Sequence, residues 1–217
     1  HSCHHKKNNL KFRIGFIGRL DSPKGVHVLI DAMHYLKNKN FELVIAGNGI
    51  LESLLRERAS ALNNVSFIGR VKNPYLFMSK IDLLVVPSIR EPLGNVCLEA
   101  GLCRVPVLAA NVDGLPEIIE NKISGELIDA TEEISINTVQ GAISLPEFVV
   151  NPVKGNLSAP KQINPSILAK RILKLSSQDD KLKYYSNELN KKVKNKFSID
   201  RYRRELHKMY REIDIKG

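Results

Sequence analysis

Along residues 12–128, short apolar runs alternate with stretches whose apolar residues recur at helical spacing. Each run closes on a loop containing glycine, proline or asparagine. The runs cover residues 12–18, 41–46, 65–69, 81–86, 105–109 and 125–128; the helical stretches cover 26–36, 50–62, 73–79, 94–103 and 114–120. Because the runs are apolar almost throughout, both faces of each strand need cover. Parallel strands also need a crossover long enough to hold a helix, and the intervening stretches supply it. The pattern predicts an α/β fold, a doubly wound parallel sheet between two helical layers. In such sheets ligands sit beyond the carboxyl ends of the strands, so the loops at 19–25, 47–49, 69–71 and 88–95 share one edge.

With 217 residues, 43% of them apolar and 26% charged, the chain can bury a sizeable core. No stretch approaches the roughly 18 apolar residues of a membrane helix. Three scattered cysteines imply no disulfide framework, and the expected setting is a reducing cytoplasm. The Cys3-His4-His5 cluster stands alone on a polar, basic terminus and is not expected to hold a metal. The net charge of +10 is concentrated late: residues 170–217 carry fifteen Lys/Arg against seven Asp/Glu. That excess suits a solvated helical face or peripheral contact with an anionic membrane. Nucleic acid is not expected, because the basic residues are not interleaved with stacking aromatics.

Residues 87–101 read as a loop running into a helix, with Glu91 before the helix and Glu99 inside it. The first amides, from Gly94, Asn95 and Val96, would lack intrahelical partners and lie at the positive end of the helix dipole, which suits a phosphate. An ordinary helix start has the same features. The Gly47-x-Gly49 turn invites a dinucleotide reading, but Glu52 stands at the third glycine position and no acid follows about twenty residues on. Residues 21–25 contain Lys24 but lack the glycines and the Ser/Thr of a phosphate loop. Pro87-Ser88-Ile89 is no nucleophile elbow. What remains is a cation pair, Arg19 and Lys24, and a carboxylate pair around one mouth. The cations can neutralise a diphosphate, Glu99 can accept ribose hydroxyls, and Glu91, nearer the loop tip, can take hydroxyls of a sugar on the far phosphate. A diphosphate flanked by two polyols is a nucleotide-sugar.

At these residues the sequence resembles the donor-binding, C-terminal half of retaining GT-B glycosyltransferases of the large group-one family. The resemblance is carried, in order, by Gly18-Arg19 with Lys24-Gly25, Ala46-Gly47-Asn48-Gly49, residues 65–71, Glu91 with Glu99, residues 106–109 and residues 114–119. It implies a Rossmann-like domain, one half of a GT-B fold, with C-terminal helices. It also implies that Arg19 and Lys24 bind the diphosphate and assist its departure, and that Glu99 holds the ribose. Glu91 is then the carboxylate facing the transferred sugar, with Leu93 and the amides of Gly94, Asn95 and Val96 around that sugar and the distal phosphate. Gly47, Asn48 and Gly49 complete the nucleotide site, and Arg70 and Val71 flank the base of a UDP or GDP donor. Such enzymes bind diphosphate without a metal or other cofactor, are hexosyltransferase-like, and serve polysaccharide or glycolipid biosynthesis.

Leu93 stands where the family commonly has an aromatic, and Asp113-Gly114 where it has a glycine pair. A complete enzyme of this kind adds an N-terminal acceptor domain, expected here as a further domain or a separate subunit. Two other functions stay open: a non-catalytic nucleotide-sugar binding or regulatory module, and a GT-B sugar-nucleotide epimerase. The expected organisation is a disordered or linker segment at 1–11, the nucleotide-sugar domain at 12–128, an insertion or mobile loop at 129–165 and a helical extension at 166–217. In the last helix, Tyr202, Leu206, Met209, Tyr210 and Ile213 share a face opposite Arg203, Arg204, Lys208 and Arg211. The stripe is expected to be partly exposed or covered by a second copy.

Overall fold

Six parallel strands form the sheet of the computed structural model, which describes residues 11–37, 39–136, 139–152 and 155–214. The Cys3-His4-His5 cluster, and all but Lys11 of the expected linker, lie outside the described residues. The strands are β1 (Phe12–Ile17), β2 (Phe41–Ala46), β3 (Val65–Phe67), β4 (Leu83–Val86), β5 (Val107–Ala110) and β6 (Glu126–Ile128), in the order β3-β2-β1-β4-β5-β6. Phe12 lies opposite Phe41 and Ile17 opposite Ala46, while Ile14 lies opposite Leu83. The order reverses between β1 and β4, which opens a crevice at their carboxyl ends.

Every residue of β4 and β5 is buried, as an all-apolar run between two helical layers requires. The connecting helices are α1 (Val26–His34), α2 (Glu52–Arg58), α3 (Pro74–Met78), α4 (Asn95–Cys103) and α5 (Leu115–Ile118). Helix α1 sinks Val26, Leu29, Ile30 and Met33 into the core. Each such side chain contributes about 1.5–3 kcal/mol. Local chemistry marks where helices start: Asn73 Oδ1 accepts from Leu76 N–H, with Pro74 at the first helical position of α3.

Three helices complete the chain: α6 (Pro165–Ser176), α7 (Asp179–Lys196) and α8 (Ile199–Asp214). Helix α7 lies so close to α4 that a Cβ on Gly101 would fall 2.7 Å from Val193 Cγ2. Asn190 Nδ2 donates to the Gly101 carbonyl at 2.8 Å, a second donor beside Arg104 N–H near the end of α4. Glu126, only 2% exposed, meets Arg171 Nη1 (2.7 Å), Lys181 Nζ (2.9 Å) and Tyr185 Oη (3.0 Å), which ties β6 to α6 and α7. On α8, Tyr202, Met209 and Tyr210 are 60%, 58% and 59% exposed, so the expected open stripe is present; the Ile213 side chain lies outside the described residues.

The described residues within 129–164 include secondary structure. They hold an antiparallel hairpin, β7 (Val149–Asn151) with β8 (Asn156–Ser158), and an antiparallel bridge between Glu132 and Gln162 closes the segment at its base. Strands of three residues are too short to display a period of two, so the pattern was not readable. Buried His27 on α1 makes a 2.8 Å hydrogen bond between Nε2 and Gln162 Oε1, and burial lowers its pKa from 6.5.

Candidate functional site

The loop after β1 runs through Arg19 and Asp21 into a 3-10 turn at Ser22–Lys24, and Gly25 then opens α1 at φ 64. A Cβ on Gly25 would fall 2.0 Å from the Pro87 carbonyl, so this loop lies directly against the one after β4. The Pro23 carbonyl accepts from Ile89 N–H (2.8 Å) and Arg90 N–H (3.2 Å). That packing brings Lys24 Nζ to 2.6 Å from Glu91 Oε2, and Ser88 Oγ donates to the same oxygen at 3.1 Å. Glu91, on the loop ahead of α4, is only 7% exposed. A carboxylate this deep needs a counter-ion and donors, and Lys24 and Ser88 supply them.

Beside this pair lies a cleft of about 370 Å³ at the β1/β4 crevice. Its lining includes Gly18, Arg19, Lys24, Glu91, Leu93, Gly94, Asn95 and Val96. Helix α4 enters it with Gly94 as N-cap and no capping side chain; Cys97 N–H already bonds the Gly94 carbonyl, so the amides of Asn95 and Val96 are the ones left without a side-chain cap at the cleft. Arg19 reaches outward, with Nε 3.5 Å from Asp21 Oδ2. Two cations and a helix N-terminus around one cleft can hold a doubly charged anion, and the buried Glu91 can accept hydroxyl donors from it.

Other predicted site residues are not part of this lining. Gly47, Asn48 and Gly49 buttress the Arg19 loop: a Cβ on Gly47, at φ 138, would fall 1.8 Å from the Gly18 carbonyl, and Leu20 N–H donates to the Asn48 carbonyl. Arg70 and Val71 follow Gly69, whose carbonyl accepts from Gly47 N–H, so they flank that same turn. Glu99 lies one turn into α4, half-buried, with no ion-pair partner among the described residues. Burial raises its pKa.

Sequence reading missed Ser88 and Asp113. Ser88 had a signal, since it lies one turn ahead of Glu91 on the same loop. Asp113 had only its departure from the glycine pair; its carboxylate accepts from Glu91 N–H at 2.9 Å. Among the described residues, no group of three His, Cys, Asp or Glu could hold a metal ion.

Residues 3–139 match the family described as Glycosyl transferases group 1. The chain belongs to this family. Over 213 residues, 95% of its length, this group 1 chain is 28% identical to the capsular polysaccharide biosynthesis glycosyltransferase CapM of Staphylococcus aureus, of which it spans 48%. It is 35% identical over 149 residues, 64% of its length, to the uncharacterized glycosyltransferase MJ1607 of Methanocaldococcus jannaschii, of which it spans 38%. The chain thus covers half or less of the length of these relatives. Its fold is that of HepE from Anabaena, solved in complex with UDP and glucose: TM-score 0.71, 21% identity, 93% of this chain and 48% of that one. It is likewise that of the C-terminal domain of the group 1 family protein LpcC from Francisella tularensis: TM-score 0.63, 20% identity, 88% of each chain.

Proposed function

We propose that this chain is the donor-binding half of a retaining, hexosyltransferase-like glycosyltransferase that holds a nucleotide-diphosphate sugar. One observation carries the reading: the β1/β4 crevice gathers Arg19, Lys24, the N-terminus of α4 and the buried Glu91 in a single cleft. In this reading Arg19, Lys24 and the α4 amides take the diphosphate without a metal and stabilise the charge that develops as it departs. Glu99 takes the ribose, and Glu91 the sugar. The loops at Gly47–Gly49 and Arg70–Val71 border the base. The match to the C-terminal domain of LpcC supports the C-terminal place of this half, and the complexes of HepE with UDP and with UDP-glucose support a UDP donor. An acceptor domain, on the same polypeptide or a separate subunit, completes the enzyme. The relatives of capsule and O-antigen biosynthesis support a polysaccharide or glycolipid product. We place the site in the cytoplasm, with the basic C-terminal helices facing an anionic membrane surface; no described helix is long and apolar enough to cross one.

UDP or GDP should raise the melting temperature of this chain, and Arg19→Ala or Glu99→Ala should abolish the rise. No rise with either nucleotide defeats the proposal. With the acceptor half supplied, NMR of the product should show the donor's anomeric configuration, and inversion would refute retention. Transfer unchanged by Glu91→Ala would favour a module that binds without catalysing.

A further inference from the structure

Glu91 is held through its backbone as well as its side chain. Its N–H donates to Asp113 Oδ2 at 2.9 Å, and its carbonyl accepts from Gly114 N–H at 3.2 Å. The other carboxylate oxygen, Asp113 Oδ1, accepts from Val150 N–H of β7 at 2.8 Å, and Asp113 N–H donates to the Val150 carbonyl at 3.1 Å. One carboxylate therefore joins the Glu91 loop to the β7–β8 hairpin, whose Val150 lies 37 residues beyond Asp113. Val150 pairs with Leu157 across the hairpin, yet its N–H and carbonyl both go to Asp113, so the hairpin edge is spent on this contact. Asp113 itself lies at φ 46, a left-handed conformation that most side chains disfavour. A turn with no further task would be served by glycine; here an acid occupies it with both oxygens engaged.

We infer that Asp113 is a positioning residue for Glu91, and that the β7–β8 hairpin is the support that keeps Asp113 aimed. The inference rests on the reading of Glu91 as the carboxylate that meets the donor sugar. With Oδ1 fixed by the hairpin, the carboxylate cannot rotate away from Glu91 N–H, so the backbone that carries the Glu91 side chain stays in register with the cleft. Lys24 fixes the far end of that side chain. Asp113 makes no hydrogen bond to Arg19 or to the α4 amides, so its loss should weaken recognition of the sugar and spare the diphosphate.

Two variants test this in the intact chain by calorimetric titration with UDP, UDP-glucose, GDP and GDP-mannose. Asp113→Asn keeps the volume and tolerates the left-handed turn, but it replaces one acceptor oxygen with an NH2 facing an N–H. Val150→Pro removes the donor to Oδ1 without touching any residue that lines the cleft. Both should weaken the nucleotide-sugar by about tenfold or more and leave the matching nucleoside diphosphate within about twofold. Equal losses for sugar-bearing and sugar-free ligands would reduce Asp113 to a prop of the fold, and no loss in either would overturn the inference outright. If the unsubstituted chain binds none of the four ligands, the proposed function falls and takes this inference with it. If it binds and the ratio of affinities does not move in Asp113→Asn, the inference alone fails. Circular dichroism checks folding; should Val150→Pro unfold, Asp113→Asn decides.

Discussion

Replacing Glu99 with glutamine should make the domain more stable and a worse binder at once. Glu99 is half-buried on α4, without a cation partner among the described residues, and burial raises its pKa from the ordinary 4.5. A carboxyl raised on folding stabilises the fold fully below its unfolded value and loses that contribution as pH rises through the raised value. At pH 7 the ionised Glu99 is therefore a cost. Discounted for the water that still reaches it, removal of the charge should gain about 0.5–1 kcal/mol. In a domain of this size that is a rise of about 1–4 °C in Tm at pH 7, fading toward pH 4. With Glu99 on the ribose, as proposed, the same change should replace charge-assisted bonds to two hydroxyls with neutral ones, a loss of about 1 kcal/mol each. Together they amount to about 2 kcal/mol, or about 30-fold in Kd. Differential scanning fluorimetry at pH 4 and 7 reads the first effect, and calorimetric titration with UDP and GDP reads the second. A lower Tm for Glu99→Gln at pH 7 would refute the electrostatic argument, and an unchanged Kd would refute the ribose assignment.

Two further changes probe the framework. Burial acts to raise the pKa of Glu126, but hydrogen bonds from Lys181 and Tyr185 and the charge of Arg171 outweigh it, so the value is lowered. Its stabilisation is thus present above the ordinary carboxylate range and lost as pH falls through the lowered value. Urea unfolding of Glu126→Ala should show a loss of about 2–4 kcal/mol at pH 7, below the full cost of a broken buried pair because Arg171 and Lys181 keep some water, and the gap from the parent should narrow below about pH 4. Gly47→Ala would place a methyl 1.8 Å from the Gly18 carbonyl. Thermal melts should show at least about 2 kcal/mol of destabilisation, and a stable variant would contradict the close approach.

The sheet was legible because its signals are local. Apolar runs marked every strand of the parallel sheet; the side-chain caps Asn73 and Asn164, each just before a proline, are equally local signals. In the site, Arg19, Lys24, Glu91 and residues 93–96 could be placed together because loops that follow parallel strands share an edge. The pairing of Lys24 with Glu91 could not be read, since it depends on how two loops sixty-seven residues apart pack through Pro23 and Gly25. Gly47 and Gly49 were read for a ligand alone, and the structure adds a second demand on them, the close approach of backbone to backbone at Gly18 and Leu20. Glu126 escaped notice because a carboxylate in a sequence reads as surface until its cations, contributed by helices far along the chain, are seen around it.

The contact between α4 and α7 has an evolutionary corollary. Helix α7 lies wholly outside residues 3–139, which match the family, yet Val193 occupies the space beside Gly101 and Asn190 donates to the carbonyl of that glycine. A lineage that exchanged the matched segment as a cassette would separate α4 from the helix shaped to it. The unit that can be inherited intact is therefore longer than the segment that matches the family, and the 213-residue likeness to CapM accords with that.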